Sequence, residues 1–229
     1  MKKLTLLFLS ILFCATYTLR AQKTFSGEIV FETKIEGTDD PNLLSSLENF
    51  FTTVSILGNK SMSVMKLEGI SITQVWDGDK GTAARVVEIT GMGKFYKKWN
   101  AEQHKEKLRL SEFNFSNKDE FKDILGYKCQ KVVATTTNLE DDSETEVVLY
   151  VTKEIGGAKL NGANLPGLEG FSLMTLMPLS EHCDECTLTT VAIKITPKKI
   201  KDVLFLLPDD AKNIDDDPDL REMLKGLFE

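Results

Sequence analysis

An antiparallel α+β fold is predicted by three features of the 229-residue chain. Short runs of alternating apolar and polar residues recur along it. Turn residues rich in Gly, Asn and Asp separate many of them, and clear helical spacing is confined to two stretches near the ends. No strand–helix–strand alternation of the parallel kind is present, and a sheet with this many strands tends to curl.

The elements follow in order. Phe25, Gly27, Ile29, Phe31, Thr33 and Ile35 alternate with Ser26, Glu28, Glu32, Lys34 and Glu36, which marks a half-buried opening strand. Asp39-Asp40-Pro41 reads as a helix start. Leu43, Leu44, Leu47, Phe50 and Phe51 then keep helical spacing, so residues 41–52 are expected to lay one apolar stripe on the sheet. Strands are expected over 53–57 and 61–67 around the hairpin signal Gly58-Asn59, over 70–76 and 83–89 around Asp77-Gly78-Asp79-Lys80-Gly81, and over 93–99. A highly charged stretch runs on through Arg109. Further strands are expected over 127–137, 146–152, 171–179 and 187–196, with a last one ending at Val203-Leu204-Phe205-Leu206-Leu207 before Pro208. Asp217-Pro218 followed by Leu220, Met223, Leu224, Leu227 and Phe228 predicts a short C-terminal helix over about 217–228.

Residues 1–22 read as a cleavable signal peptide: Lys2 and Lys3, then an apolar stretch from Leu4 to Phe13, then Leu19-Arg20-Ala21 before Gln22. The apolar run is shorter than the ~18 residues of a membrane span, and bulky Phe13 precedes Cys14 where a lipoprotein signal wants a small residue. The expectation is a periplasmic or secreted protein without lipid tail or transmembrane anchor. Cleavage leaves residues 23–229 as a single domain of 207 residues. The segment removes Lys2, Lys3 and Arg20 and no acid, so 25 of the 28 basic residues remain against 35 acidic ones, a formal charge of −10. That balance argues against nucleic acid and against electrostatic docking on anionic lipid.

Ile124-Leu125-Gly126-Tyr127-Lys128-Cys129-Gln130-Lys131 resembles a strand opening of the GLPGLI and domain-of-unknown-function 4412 families of exported bacterial proteins. Leu149-Tyr150-Val151-Thr152-Lys153-Glu154-Ile155 resembles the segment that follows it there. Leu165-Pro166-Gly167-Leu168 is similar to the motif that names the first family, and Phe205-Leu206-Leu207-Pro208-Asp209-Asp210 to their terminal strand ending. These marks lie in order over about residues 25–210. Tyr150 stands where the family usually carries Trp, and Glu169 where an apolar residue is common. The resemblance implies a strongly curved antiparallel β half-barrel with helices packed at its mouth or concave face, as in lipoprotein-localisation (Lol-type) carriers. It implies no catalytic residues and no cofactor.

His182-Cys183-Asp184-Glu185-Cys186 is the sharpest chemical cluster. His182, Cys183 and Cys186 make a metal half-site that Cys129 is able to extend, but the second half-site of a structural zinc module is missing. A thiol-redox role is the other active reading, opposed by Glu181, Asp184 and Glu185, which raise thiol pKa values. The favoured reading is a Cys183–Cys186 disulfide clipping a hairpin loop. Asp77-Gly78-Asp79-Lys80-Gly81 lacks the later acidic ligands of a calcium loop, and Gly91-Met92-Gly93-Lys94 lacks the spacing of a phosphate loop. No Gly-x-Ser-x-Gly or His-Glu-x-x-His pattern occurs.

The expected function is therefore a non-enzymatic binding module without cofactor. Its partner is a hydrophobic small molecule or lipid, or a protein segment. Phe31, Trp76, Leu173, Met174 and Met177 are the expected walls, the last three because residues 171–177 are apolar on both sides. The alternative is an envelope scaffold or sensor acting by protein contact, which an exposed apolar patch near the Leu165–Phe171 loop would favour.

Overall fold

A computed structural model describes residues 24–47, 50–109, 111–139, 143–179 and 186–228. Residues 1–22, expected as a signal peptide, and the stretch from Ser180 to Glu185 lie outside the described residues. Twelve strands form one open sheet, ordered β12-β6-β5-β4-β3-β2-β1-β11-β10-β9-β8-β7. β1 (Ser26–Glu36) is its keystone, pairing with β2 (Phe51–Leu57) on one side and β11 (Thr187–Pro197) on the other. It thereby joins two antiparallel meanders. One runs through β2, β3 (Lys60–Leu67), β4 (Ile70–Asp77), β5 (Thr82–Ile89) and β6 (Gly93–Trp99). The other runs through β7 (Ser111–Ile124), β8 (Tyr127–Asn138), β9 (Glu144–Thr152), β10 (Phe171–Pro178) and β11.

The alternation in β1 predicts its burial: Ile29, Phe31 and Thr33 are buried, while Glu28, Glu32 and Lys34 keep contact with solvent. A register shift between Ser172 and Met174 interrupts β10, which explains why its apolar residues do not alternate.

Several expectations are corrected. The first helix, α1, covers only Pro41–Ser46, capped by Asp40, and Leu44 is exposed rather than laid on the sheet. Phe51 already begins β2. The charged stretch before Arg109 contains a helix, α2 (Ala101–Leu108), and residues 111–124 form the 14-residue edge strand β7. Asp202–Phe205 is a turn of 3-10 helix, not a strand. The sheet is mixed rather than wholly antiparallel, because the two-residue β12 (Lys212–Asn213) runs parallel to β6 at the edge.

The C-terminal tail clasps that edge. Lys60 Nζ meets Asp202 at 2.6 Å and Lys94 Nζ meets Asp210 at 2.8 Å, holding residues 202–210 across one face. β12 then caps β6, and the chain returns on the opposite face as α4 (Pro218–Met223) and α5 (Lys225–Phe228). Ile214, Leu224 and Phe228 bury there against Val87 and Phe95, with Ile70, Ile72 and Ile89 at the rim. These strand residues share one face by the two-residue period and the cross-strand register. We call it the inner face. Among the described residues no helix is long and apolar enough to cross a membrane.

Candidate functional site

The inner face of β2–β6 is built of cross-strand rows. One joins Ile72 of β4, Val87 of β5 and Phe95 of β6, and lies under the C-terminal helices. The next runs Val54, Ser63, Gln74, Arg85, Lys97; the one beyond runs Ile56, Ser61, Trp76, Ala83, Trp99. The helices reach the edge of these two rows, where Arg85 meets the Leu227 carbonyl and Trp99 packs against their cluster, and leave the rest uncovered. A cavity of about 280 Å³ is left there, bounded by Val54, Gln74, Trp76, Ala83, Arg85 and Trp99 below. That is just under the ~300–1,000 Å³ of usual small-molecule sites.

Two segments roof it. α2 begins with a capping box, in which Asn100 Oδ1 accepts from the Gln103 N–H and Gln103 Oε1 from the Asn100 N–H, each at 2.9 Å. This fixes the helix so that His104 is buried, its ring 4.8 Å from that of Trp76 and its Nε2 3.0 Å from the Gly162 carbonyl. The second segment is α3 (Ala158–Asn161) with the loop that follows it. Trp76 Nε1 donates to the Lys159 carbonyl at 2.7 Å, which seats the roof on the sheet. Asn161 Nδ2 ties the loop together by donating to the carbonyls of Leu168, at 2.8 Å, and Gly170. Gly162 is required at its position, because a Cβ there would stand 2.5 Å from the Trp76 ring. Leu160, Leu165 and Phe171 complete the apolar wall.

Electrostatically the site is set by Arg85, a half-buried guanidinium. Its Nη1 donates to the Leu227 carbonyl at 2.9 Å. With the Gln74 carboxamide oxygen facing it, Nε and Nη2 donate to Gln74 at 3.2 and 2.7 Å. Burial lowers its pKa from the ordinary arginine value.

Of the five expected wall residues, Trp76 lines the cavity. Phe31 is buried and packs at 6.4 Å on Phe171, which does line it. Leu173 is fully buried in the main core and Met174 packs against that core, with Lys122 Nζ 3.4 Å from its Sδ. Met177 is partly buried opposite Leu188. Arg85, His104, Leu160 and Phe171 escaped the sequence analysis. The signal for Arg85 was there: it shares a parity with Val87 and Ile89, yet Ala84 and Val86 leave the other parity of β5 apolar as well.

In the loop where an exposed apolar patch would have favoured the scaffold alternative, Leu168 is buried and Leu165 faces the cavity. Cys186 is buried and disulfide-bonded. Its expected partner Cys183, with His182, lies outside the described residues. Cys129 is a free, fully buried thiol, pushed up to about 11 by burial first and then by Asp123 and Glu154, so it is not poised as a nucleophile. Among the described residues no cluster of His, Cys, Asp and Glu is arranged to hold a metal. Comparison with protein-family models and with curated proteins finds no match for the chain.

Proposed function

We propose that the protein is a non-enzymatic, exported binding module whose curved sheet acts as a half-barrel around a small hydrophobic ligand. One observation carries the reading: the inner face of β2–β6 is filled by its own C-terminal helices at one end and left hollow at the other. Proteins pack their interiors nearly without voids, so an apolar hollow roofed by anchored segments is the default binding site. The burial of a short alkyl chain there is driven by ~25 cal/mol per Å², less ordering costs. Export rests on the composition of residues 1–22, and the carrier-like architecture on the resemblance of the Ile124–Lys131 and Leu165–Leu168 motifs.

Both tryptophans of the chain, Trp76 and Trp99, line the cavity, which supplies a direct readout. Titration with 8-bromooctan-1-ol, whose bromine quenches indole on contact, is expected to give saturable quenching. Ala83→Phe places a ring between the two tryptophans and is expected to abolish it. Linear, unsaturable quenching that is unchanged in Ala83→Phe would overturn the reading.

A second reading, contact with an envelope protein, draws on the strap, where Val203 and Leu206 are 64% and 68% exposed. Loss of a reproducible cross-linked partner in Leu206→Asp would favour it; its persistence would count against it.

A further inference from the structure

We infer that the cavity selects an anionic amphiphile, a short alkyl chain ending in a carboxylate, with the head group on Arg85 and the chain against Trp76 and Trp99. This rests on the binding reading above and names its ligand class.

The first argument is an inventory of hydrogen bonds. A guanidinium carries five N–H donors, and it is the side chain best shaped for a carboxylate. Three of Arg85's are engaged, one with Leu227 and two with Gln74, leaving one on each terminal nitrogen. Both of these partners are uncharged oxygens. Among the described residues no carboxylate is ion-paired with Arg85, although the chain as a whole is acidic, with a formal charge of −7.

The second argument comes from the register and is independent of the first. Arg85 stands directly opposite Lys97 on the neighbouring strand, so two cations share one face. Like charges directly opposite each other destabilise a sheet. Lys97 leans over the Trp99 ring at 5.6 Å and, like Arg85, has no ion-pair partner among the described residues. Lys60, Lys94, Lys131, Lys159 and Lys198 each meet a carboxylate within about 3 Å, whereas Lys98, Lys122 and Lys128, like Lys97, rest over aromatic rings. Of the two, Arg85 lines the hollow, and among the described residues no carboxylate neutralises it, which leaves its place for an anion from outside.

The third argument is geometric. The polar row containing Arg85 lies between the dry seam beneath the C-terminal helices and the Trp76–Trp99 row. A head group on Arg85 therefore leaves the apolar body one direction to lie in, along the two indoles towards Leu160 and Phe171. A volume of about 280 Å³ corresponds to roughly nine water molecules, which suits a chain of about eight carbons and not a two-chain lipid.

The test is a matched pair of tryptophan quenchers, 8-bromooctanoate and 8-bromooctan-1-ol, titrated at pH 7 into the full chain. Wild type is expected to bind the acid about 10- to 100-fold tighter than the alcohol, the range of a hydrogen-bonded charge. Arg85→Gln is expected to erase that preference, and Arg85→Lys to retain part of it. The wild-type ratio stands even if Arg85→Gln proves unstable. Equal affinities for acid and alcohol in wild type would overturn the carboxylate assignment while leaving the binding site intact. Absence of saturable quenching by either would overturn both. Octyl phosphate displacing the bromo-acid more tightly than octanoate does would also overturn the carboxylate assignment in favour of a phosphate head.

Discussion

The two ends of β4–β6 are made from the same strands yet solve opposite problems. At one end Val87 and Phe95 are fully covered by Ile214, Leu224 and Phe228, a dry seam of side chains supplied by the chain itself. At the other, only a few residues along, Gln74 and Arg85 replace apolar residues, and the roof is seated on the sheet by the bond from Trp76 to the Lys159 carbonyl while His104 ties its two segments together at Gly162. Burial explains the first end completely. Folding stability alone gives no reason for the second, because an aliphatic residue at position 85 and a longer C-terminal helix would fill the hollow at less electrostatic cost.

Substitutions sharpen that contrast. Phe228→Ala removes a ring buried to 2% exposure and is expected to cost about 3–5 kcal/mol in chemical denaturation. A loss under about 1 kcal/mol would mean that the seam is not a packed core. Paired overpacking variants separate the ends next. Val87→Phe has no room and is expected to cost about 1–3 kcal/mol, whereas Ala83→Phe, facing the hollow, is expected to stay within about 0.5 kcal/mol of wild type. Equal penalties would break the comparison.

Cys129 gives a third, titratable kind of burial, away from both ends. Its pKa is raised from 9.0 in the folded chain, which holds the proton where the unfolded chain releases it. The contribution is intact below about pH 9 and is lost as pH rises towards 11. Stability is thus expected to fall by about 1–3 kcal/mol more in wild type than in Cys129→Ala over that window. Parallel pH profiles would contradict it. A smaller loss belongs to the roof: Trp76→Phe strands the Lys159 carbonyl and is expected to cost about 1 kcal/mol in thermal unfolding. No measurable change would mean that this bond does not hold the roof down.

Much of the first meander was legible because each of its hairpins carries turn chemistry and its strands are half-covered. Gly93–Trp99 appears with the bounds expected for it, and Gly58-Asn59 turns β2 into β3 as read. β7 was missed for the converse reason: as an edge strand it shows charges at successive positions, Lys118-Asp119-Glu120 and Lys122-Asp123, and no clean alternation survives. α2 announced itself only through Asn100 and Gln103, a capping box ahead of a run too polar to show an apolar stripe. Val203–Leu207 reads as a strand by composition, but among the described residues no strand pairs with it, and Asp202–Phe205 takes a 3-10 turn. Within the site, Trp76 was named as a large apolar strand residue, and the cross-strand register puts it on the inner face. His104 and Arg85 were not, because what makes them site residues is the row and the roof they meet, and those are set by long-range register.

The most direct test of the central claim is native mass spectrometry of the protein purified from its own cells without detergent. The account predicts a reproducible added mass of one small amphiphile per chain, released on unfolding and absent from Ala83→Phe. Bare protein in wild type, or the same adduct retained in Ala83→Phe, would contradict it.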